Sequence, residues 1–226
     1  SMAAQGVSPH GINSLISIDL YKKLVKSIAL YGCELWCNIS TTNANLVNRF
    51  QHFIVKKILG FTILTRSDMC ETIVGLHKLS CDIEIRKLLF LHKLLSLNVH
   101  CISRNLFIRR YLLYLSQVGT HMYGFVSDIC FILCKYGLQS TVNDVIVNPL
   151  KLPSKSNWKS HVKTLVYQFE ESKWNSRVLC DDSFQYFRVL HPNVRPCIVY
   201  KACFHSGYRC IMNTISRHWC RSVKLQ

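Results

Sequence analysis

The residues best equipped for chemistry lie near the end of the chain, where Cys203, His205, Cys210, His218 and Cys220 fall close together. Zinc takes thiolates and imidazoles in tetrahedral sets, usually supplied as two close pairs such as Cys-x2-Cys and His-x3-His. The spacings here match no such template. Cys203 and His205 are two apart, as are His218 and Cys220, which on a helix sends the members of each pair to different sides. The five are weak metal candidates, and buried cysteines with surface histidines account for them better. Cys33 with Cys37, and Cys130 with Cys134, are four apart and share a helical face, so each could supply half of a site. Packing is the stronger reading, because free Cys is among the most buried residue types. No cofactor is expected.

Catalysis demands its own residue sets. A two-metal polymerase or nuclease needs carboxylates converging on one point, and only 12 Asp plus Glu are present. Asp181 and Asp182, followed by Ser183, Phe184 and an apolar-aromatic segment, read as a helix cap. The Gly-x-Ser-x-Gly nucleophile elbow, the phosphate-cradling P-loop and the Rossmann glycine fingerprint do not occur. Nothing points to an enzyme.

Polyanion binding has more support. The chain of 226 residues carries 28 Lys plus Arg, a formal charge of +16, on a composition that is 49% apolar. That is too apolar for a disordered basic tail, and so large a surplus repels itself unless nucleic acid or an anionic surface is near. The cations are clustered: Lys22, Lys23 and Lys26; Arg49, Lys56, Lys57 and Arg66; Arg109 and Arg110; Lys151, Lys155, Lys159 and Lys163; Arg209, Arg217, Arg221 and Lys224. Any one cluster is explained by a solvated helix face, but the shortage of acidic partners is not. The aromatics say less, since Trp158, Phe169 and Trp174 at helical spacing read as core. No run reaches the roughly 18 consecutive apolar residues of a membrane span, but charge alone does not choose between nucleic acid and an anionic membrane surface. No secretory signal is recognised, and the twelve cysteines sit within helical apolar patterns. The expected location is intracellular, nuclear or cytoplasmic.

The elements that must carry these residues are helical. Leu20, Leu24 and Ile28, with Tyr21 and Val25, recur at the spacing of four that stacks side chains on one face, predicting a helix over 17–36 with a basic outer side and Ser17 or Asp19 as cap. Thr41 or Thr42 caps a second helix ending at Gly60, with Leu46, Phe50, Phe53, Ile54 and Ile58 inside and Arg49, Lys56 and Lys57 outside. A weaker helix at 68–74 closes at Gly75, and a longer one over 80–97 has Asp82 and Glu84 in its first turn and Lys93 in its last, as the helix dipole favours. Segments 102–116 and 123–136 follow, with Gly137 as a stop, then a short helix after Thr141. The proline-bearing stretch 148–157 reads as a connection between packing units, and Ser156 caps a long helix beyond it. The expected class is all-α: an irregular bundle of about eight to ten helices, divisible into subdomains at 1–147 and 148–226.

The N-terminal residues carry a resemblance. Pro9-His10-Gly11-Ile12-Asn13-Ser14-Leu15, then Leu20-Tyr21-Lys22 and Ala29-Leu30-Tyr31-Gly32-Cys33-Glu34-Leu35-Trp36, resemble the segment after the polymerase core in non-LTR (LINE-type) retrotransposon reverse transcriptases. The likeness runs on through His52-Phe53, Val55-Lys56, Gly60, Thr65-Arg66-Ser67-Asp68, Gly75-Leu76 and Ile83-Glu84 to Phe187-Arg188 and His191-Pro192, covering nearly the whole chain. It implies a thumb with a post-thumb helical extension, without the polymerase aspartates or the endonuclease. The terminal cysteines do not reproduce the zinc knuckle that often follows in that family. Such a piece is expected to grip a template-primer duplex or the element's RNA by its backbone, so the resemblance implies nucleic acid, and not membrane, as the partner. The resemblance matches Lys22, Lys56 and Arg66 as basic positions, while Lys23, Lys26, Arg49 and Lys57 rest on helix geometry alone. The rival expectation is a helical protein-interaction or scaffold domain, a co-opted or decayed remnant whose positive charge meets an acidic protein partner.

Overall fold

The structure, a computed structural model, describes residues 14–116, 123–181 and Val194. Among them there is no strand, as the all-α expectation requires. In chain order they form α1 (Ser14–Leu20), a π-helical turn (Tyr21–Val25), α2 (Lys26–Ala29), a 3-10 turn (Cys33–Leu35), α3 (Thr41–Leu59) and α4 (Ser67–Val74). Then come α5 (Leu79–Leu95), α6 (Ile102–Ser116), α7 (Phe125–Tyr136), α8 (Gln139–Val147), a 3-10 turn (Pro149–Lys151) and α9 (Lys155–Leu179). The chain divides into two compact units, one from 1–31, 45–79 and 170–226, the other from 32–44 and 80–169.

In the first unit Ile18 and Tyr21 join Val55, Ile58 and Leu59 of α3, Met69, Cys70, Ile73 and Val74 of α4, and Trp174 and Val178 of α9. The expected single helix over 17–36 is broken twice. The Lys26 amide reaches the Tyr21 carbonyl, five residues back, so one turn holds an extra residue and the apolar register slips. Leu24 and Ile28, expected inside with Leu20, are therefore exposed at 53% and 76%. Gly32 then takes a left-handed φ of 67° and turns the chain before Cys33.

The phase of α3 also departs from expectation. Its buried residues are Asn48, Gln51, Val55, Ile58 and Leu59, whereas Leu46, Phe50 and Phe53 are 54%, 44% and 55% exposed. A buried hydrogen-bond chain fixes this choice. The Tyr21 hydroxyl donates to Gln51 Oε1 at 3.1 Å, and Gln51 Nε2 donates to Glu71 Oε1 at 2.7 Å and to the His77 carbonyl at 2.8 Å. His52 Nε2 lies 3.0 Å from the same Glu71 oxygen, but off the line of a hydrogen bond. The cap of α3 is Ser40, one residue before the expected threonines; its Oγ accepts from the Asn43 amide at 3.2 Å. Gly60 closes α3 as expected, with φ at 71° while the Phe61 amide bonds back to the Lys56 carbonyl at 2.9 Å.

In the second unit α5 supplies Cys81, Ile85, Leu88, Leu91 and Leu95 to a core shared with Phe107 and Tyr111 of α6, α7, Val142 and Val145 of α8, and Trp158, Val162 and Val166 of α9. Trp158 is core, as expected, and its Nε1 donates to the Leu88 carbonyl at 3.0 Å. The stretch 148–157, expected as a connection between packing units, lies inside this unit. Leu152 packs on its core and the Pro153 carbonyl sits 2.9 Å from His92 Nε2, so the prolines shape a loop that belongs to one unit. Ser154 caps α9 in place of the expected Ser156, its Oγ accepting from the Asn157 amide at 3.3 Å.

Two expected outcomes follow from this packing. Gln51→Leu should destabilise the chain by about 2 kcal/mol, because it removes one buried hydrogen bond from the Glu71 carboxylate and one from the Tyr21 hydroxyl. Phe50→Ala, one residue away on the outward side, should cost less than about 1 kcal/mol; urea unfolding compares the two, and a reversed order would mean that α3 is turned the other way. The second outcome concerns Cys33 and Cys130. Burial pushes both thiols up from 9.0 to about 11, with the Arg86 cation partly opposing it at Cys33. Iodoacetamide at pH 7.5 should thus label exposed Cys37, Cys134 and Cys180 first, and Cys33 and Cys130 only after denaturation. Between the unfolded and folded values the native chain holds protons that the unfolded chain releases. Stability is therefore full below about pH 9 and falls toward pH 11, which urea midpoints across that range would register.

Candidate nucleic-acid interface

All seven cations expected to meet phosphate belong to the first unit. Lys22 and Lys23 sit on the π-helical turn, Lys26 opens α2, Arg49, Lys56 and Lys57 lie on α3, and Arg66 immediately precedes α4. Their surroundings differ in ways the sequence did not show. Lys23 is 71% exposed and pairs with Asp19 at 2.6 Å, one helical turn before it. An exposed pair of this kind contributes about 0–1 kcal/mol, so Asp19 holds Lys23 only weakly. Lys22 and Lys26 are half-buried.

Arg66 is placed differently. Its Nη1 donates to Asp181 Oδ2 at 2.8 Å, and Arg177 Nη1 lies 3.3 Å from Asp68 Oδ1 nearby. The two pairs rim a hollow of about 240 Å³ that Trp174 and Val178 also line. Two guanidinium groups facing two carboxylates carry no net charge between them, and Arg66 ties the start of α4 to the residues just past α9. Asp181, expected as half of a helix cap, is one end of that tie; Asp182 lies outside the described residues.

The α3 cations share a setting that Arg66 lacks. Nineteen residues of α3 contain no carboxylate. Arg49 and Lys57 are exposed, and Lys56 Nζ donates to the Ile63 carbonyl at 2.9 Å. At 100° per residue, Leu46, Phe50, Phe53 and Lys57 form one stripe opposite the buried Asn48, Gln51 and Val55, with Arg49 and Lys56 along one flank. Lys57 Nζ stands 5.6 Å from the centre of the Phe53 ring. The outward side of α3 thus offers point charges for phosphates and two aromatic faces within the same few turns. Reading Phe50 and Phe53 as core missed those faces. The signal that could have found them was the polar pair Asn48 and Gln51, three apart, on the same side as Val55.

No family model, curated protein or solved structure matches the chain. What can be said of its site rests on its own residues.

Other chemistry finds little footing among the described residues. No group of three or more His, Cys, Asp or Glu is arranged to hold a metal ion. Cys203, His205, Cys210, His218 and Cys220 lie outside the described residues. Cys33 and Cys130 are buried while Cys37 and Cys134 are exposed, so neither four-spaced pair presents two thiols together. A hollow of about 150 Å³ in the second unit is lined by Ile39, Ile83, Phe131 and Ile132, with the Lys87–Asp128 pair, 2.6 Å apart, in its wall. Among the described residues no helix is long and apolar enough to cross a membrane.

Proposed function

We propose that this chain is a non-catalytic, all-helical nucleic-acid-binding module, derived from the thumb and post-thumb region of a LINE-type retrotransposon reverse transcriptase, that holds a template-primer duplex or the element's RNA by its backbone. The observation that carries the reading is α3: a 19-residue helix without a carboxylate, with Arg49 and Lys57 exposed on its outward side. The exposed Lys23 extends the same chemistry to the π-helical turn. Phosphate contacts of this type position a duplex without reading its sequence. The acidic residues support the non-catalytic part. Asp128 is engaged by Lys87, Glu84 by Lys135, Asp68 by Arg177 and Asp181 by Arg66, each carboxylate neutralised where it stands.

Binding through counterion release falls with salt by about 0.9 log unit per log unit of salt for each phosphate neutralised on a duplex. Fluorescence anisotropy between 50 and 200 mM salt should therefore give a steep negative slope for duplex DNA, hybrid and RNA. Arg49→Ala with Lys57→Ala should weaken binding and flatten the slope by about two contacts' worth, and the Lys22, Lys23 and Lys26 triple alanine should do likewise for its helix. Arg66→Ala should leave the slope unchanged. Absence of binding to all three polymers at low salt would reject the proposal.

A second reading is favoured by α6, where Ile102, Leu106 and Leu113 are exposed along one stripe with Arg109 between them and Arg110 beside it. On this reading the chain is a helical interaction domain that takes an acidic, apolar-faced protein segment. It predicts that Leu106→Asp with Leu113→Asp leaves nucleic-acid affinity intact and abolishes capture of an acidic amphipathic helical peptide in a calorimetric titration. Equal capture by wild type and variant, or none by either, removes α6 as a docking face.

A further inference from the structure

Resting on the nucleic-acid reading above, we infer that the outward stripe of α3 takes unpaired bases, with Phe50 and Phe53 as stacking platforms and Arg49 and Lys57 holding the flanking phosphates. The preferred ligand is then single-stranded, or a junction where a strand leaves a duplex.

Burial provides the first support. Phe50 and Phe53 are close to half exposed, and the buried side of α3 is already filled by Asn48, Gln51, Val55, Ile58 and Leu59. Two large rings three residues apart face solvent on neighbouring turns, an arrangement that area burial alone would not leave open. Charge gives the second. The rings are bordered by Arg49, Lys56 and Lys57, Lys57 Nζ stands over Phe53, and no acidic residue of the helix opposes a phosphate. Aromatic faces interleaved with cations are the two components of single-strand recognition, since every base offers a π-face and every nucleotide a charge.

A second copy of the chain fits the stripe less well. Leu46, Phe50, Phe53 and Lys57 have the 4-3-4 spacing of a helix-pairing seam, but the fourth position is a lysine. Self-pairing would bring Lys57 to an apolar seam beside the Arg49 and Lys56 flanks of a like-charged helix, where burial of an unpaired cation is costly. A polyanion accepts that lysine instead.

The test is fluorescence anisotropy of the full chain with a labelled oligothymidylate and with a duplex of equal length, at one fixed salt. Phe50→Ala with Phe53→Ala should weaken single-strand binding by about tenfold or more per ring and leave duplex affinity within about twofold. Phe50→Leu with Phe53→Leu keeps the apolar character without the π-face and should lose as much, whereas the two Trp replacements should retain or tighten binding. Circular dichroism melts check that each variant is folded, and the Leu and Trp pairs serve if the Ala pair is not. Equal loss on both ligands, no loss on either, or full binding by the Leu pair overturns the inference while the backbone reading stands. Concentration-dependent dimers in sedimentation that the Ala pair dissolves, with single-strand affinity intact, would make the stripe a protein interface and overturn it too. A wild-type chain that binds neither oligonucleotide brings down the backbone reading, and this inference with it.

Discussion

The Gln51 side chain decides which way α3 faces, and most of what is exposed in the first unit follows from that. Its amide is fully buried and makes three hydrogen bonds, to the Tyr21 hydroxyl, the Glu71 carboxylate and the His77 carbonyl. Rotating α3 by the 100° or more needed to bury Phe50 and Phe53 would leave the Glu71 carboxylate and an amide without partners, each worth roughly 1–3 kcal/mol. The apolar gain is smaller, since fully burying a large side chain yields about 1.5–3 kcal/mol and both rings are already about half covered. Polar satisfaction therefore wins, and the aromatic stripe stays outside.

The second unit uses its acidic residues in a related way. Asp128 accepts from Lys87 Nζ and from the Asn38 amide, and Glu84 from Lys135 Nζ and the Tyr136 hydroxyl. These carboxylates are largely covered. Pairs held in such surroundings fix neighbouring helices, because removing one partner strands the other charge. Each such tie withdraws one cation together with one carboxylate, so the surplus of +16 is left for the rest of the surface, where Lys155 and Lys159 of α9 are exposed.

Elements governed by local chemistry were legible from the sequence, and choices governed by tertiary partners were not. Gly60, Gly75 and Gly137 end their helices with positive φ as expected, because that conformation is a property of the residue itself. Trp158 and Trp174 are core as their spacing implied, and Phe169 is partly buried against the core of the second unit. The α3 stripe failed because apolar residues occur on both sides of that helix, and the deciding polar residues looked like surface. The helix over 17–36 failed because a π-helical turn is invisible to a fixed period. Among the site residues, the sequence located the exposed Arg49 and Lys57 but could not see that Asp181, 115 positions away, holds Arg66.

On the proposed reading, the two kinds of group on α3 act at different distances and so in a fixed order. Charge attraction reaches about 8–10 Å at physiological ionic strength, whereas stacking requires ring contact. A polyanion is therefore drawn first to Arg49, Lys57 and the lysines of the π-helical turn, independent of its strandedness. Phe50 and Phe53 can add stability only afterwards, and only where a base has left its duplex partner. Paired strands would then be free to leave at the rate set by counterions, while a strand with an unpaired stretch would be retained. Discrimination on this helix is consequently a matter of dissociation more than of encounter, and raising the salt should erode the capture of both ligands, that of the duplex more steeply (about 0.9 against 0.7 log unit per phosphate), so that the preference for an unpaired strand widens.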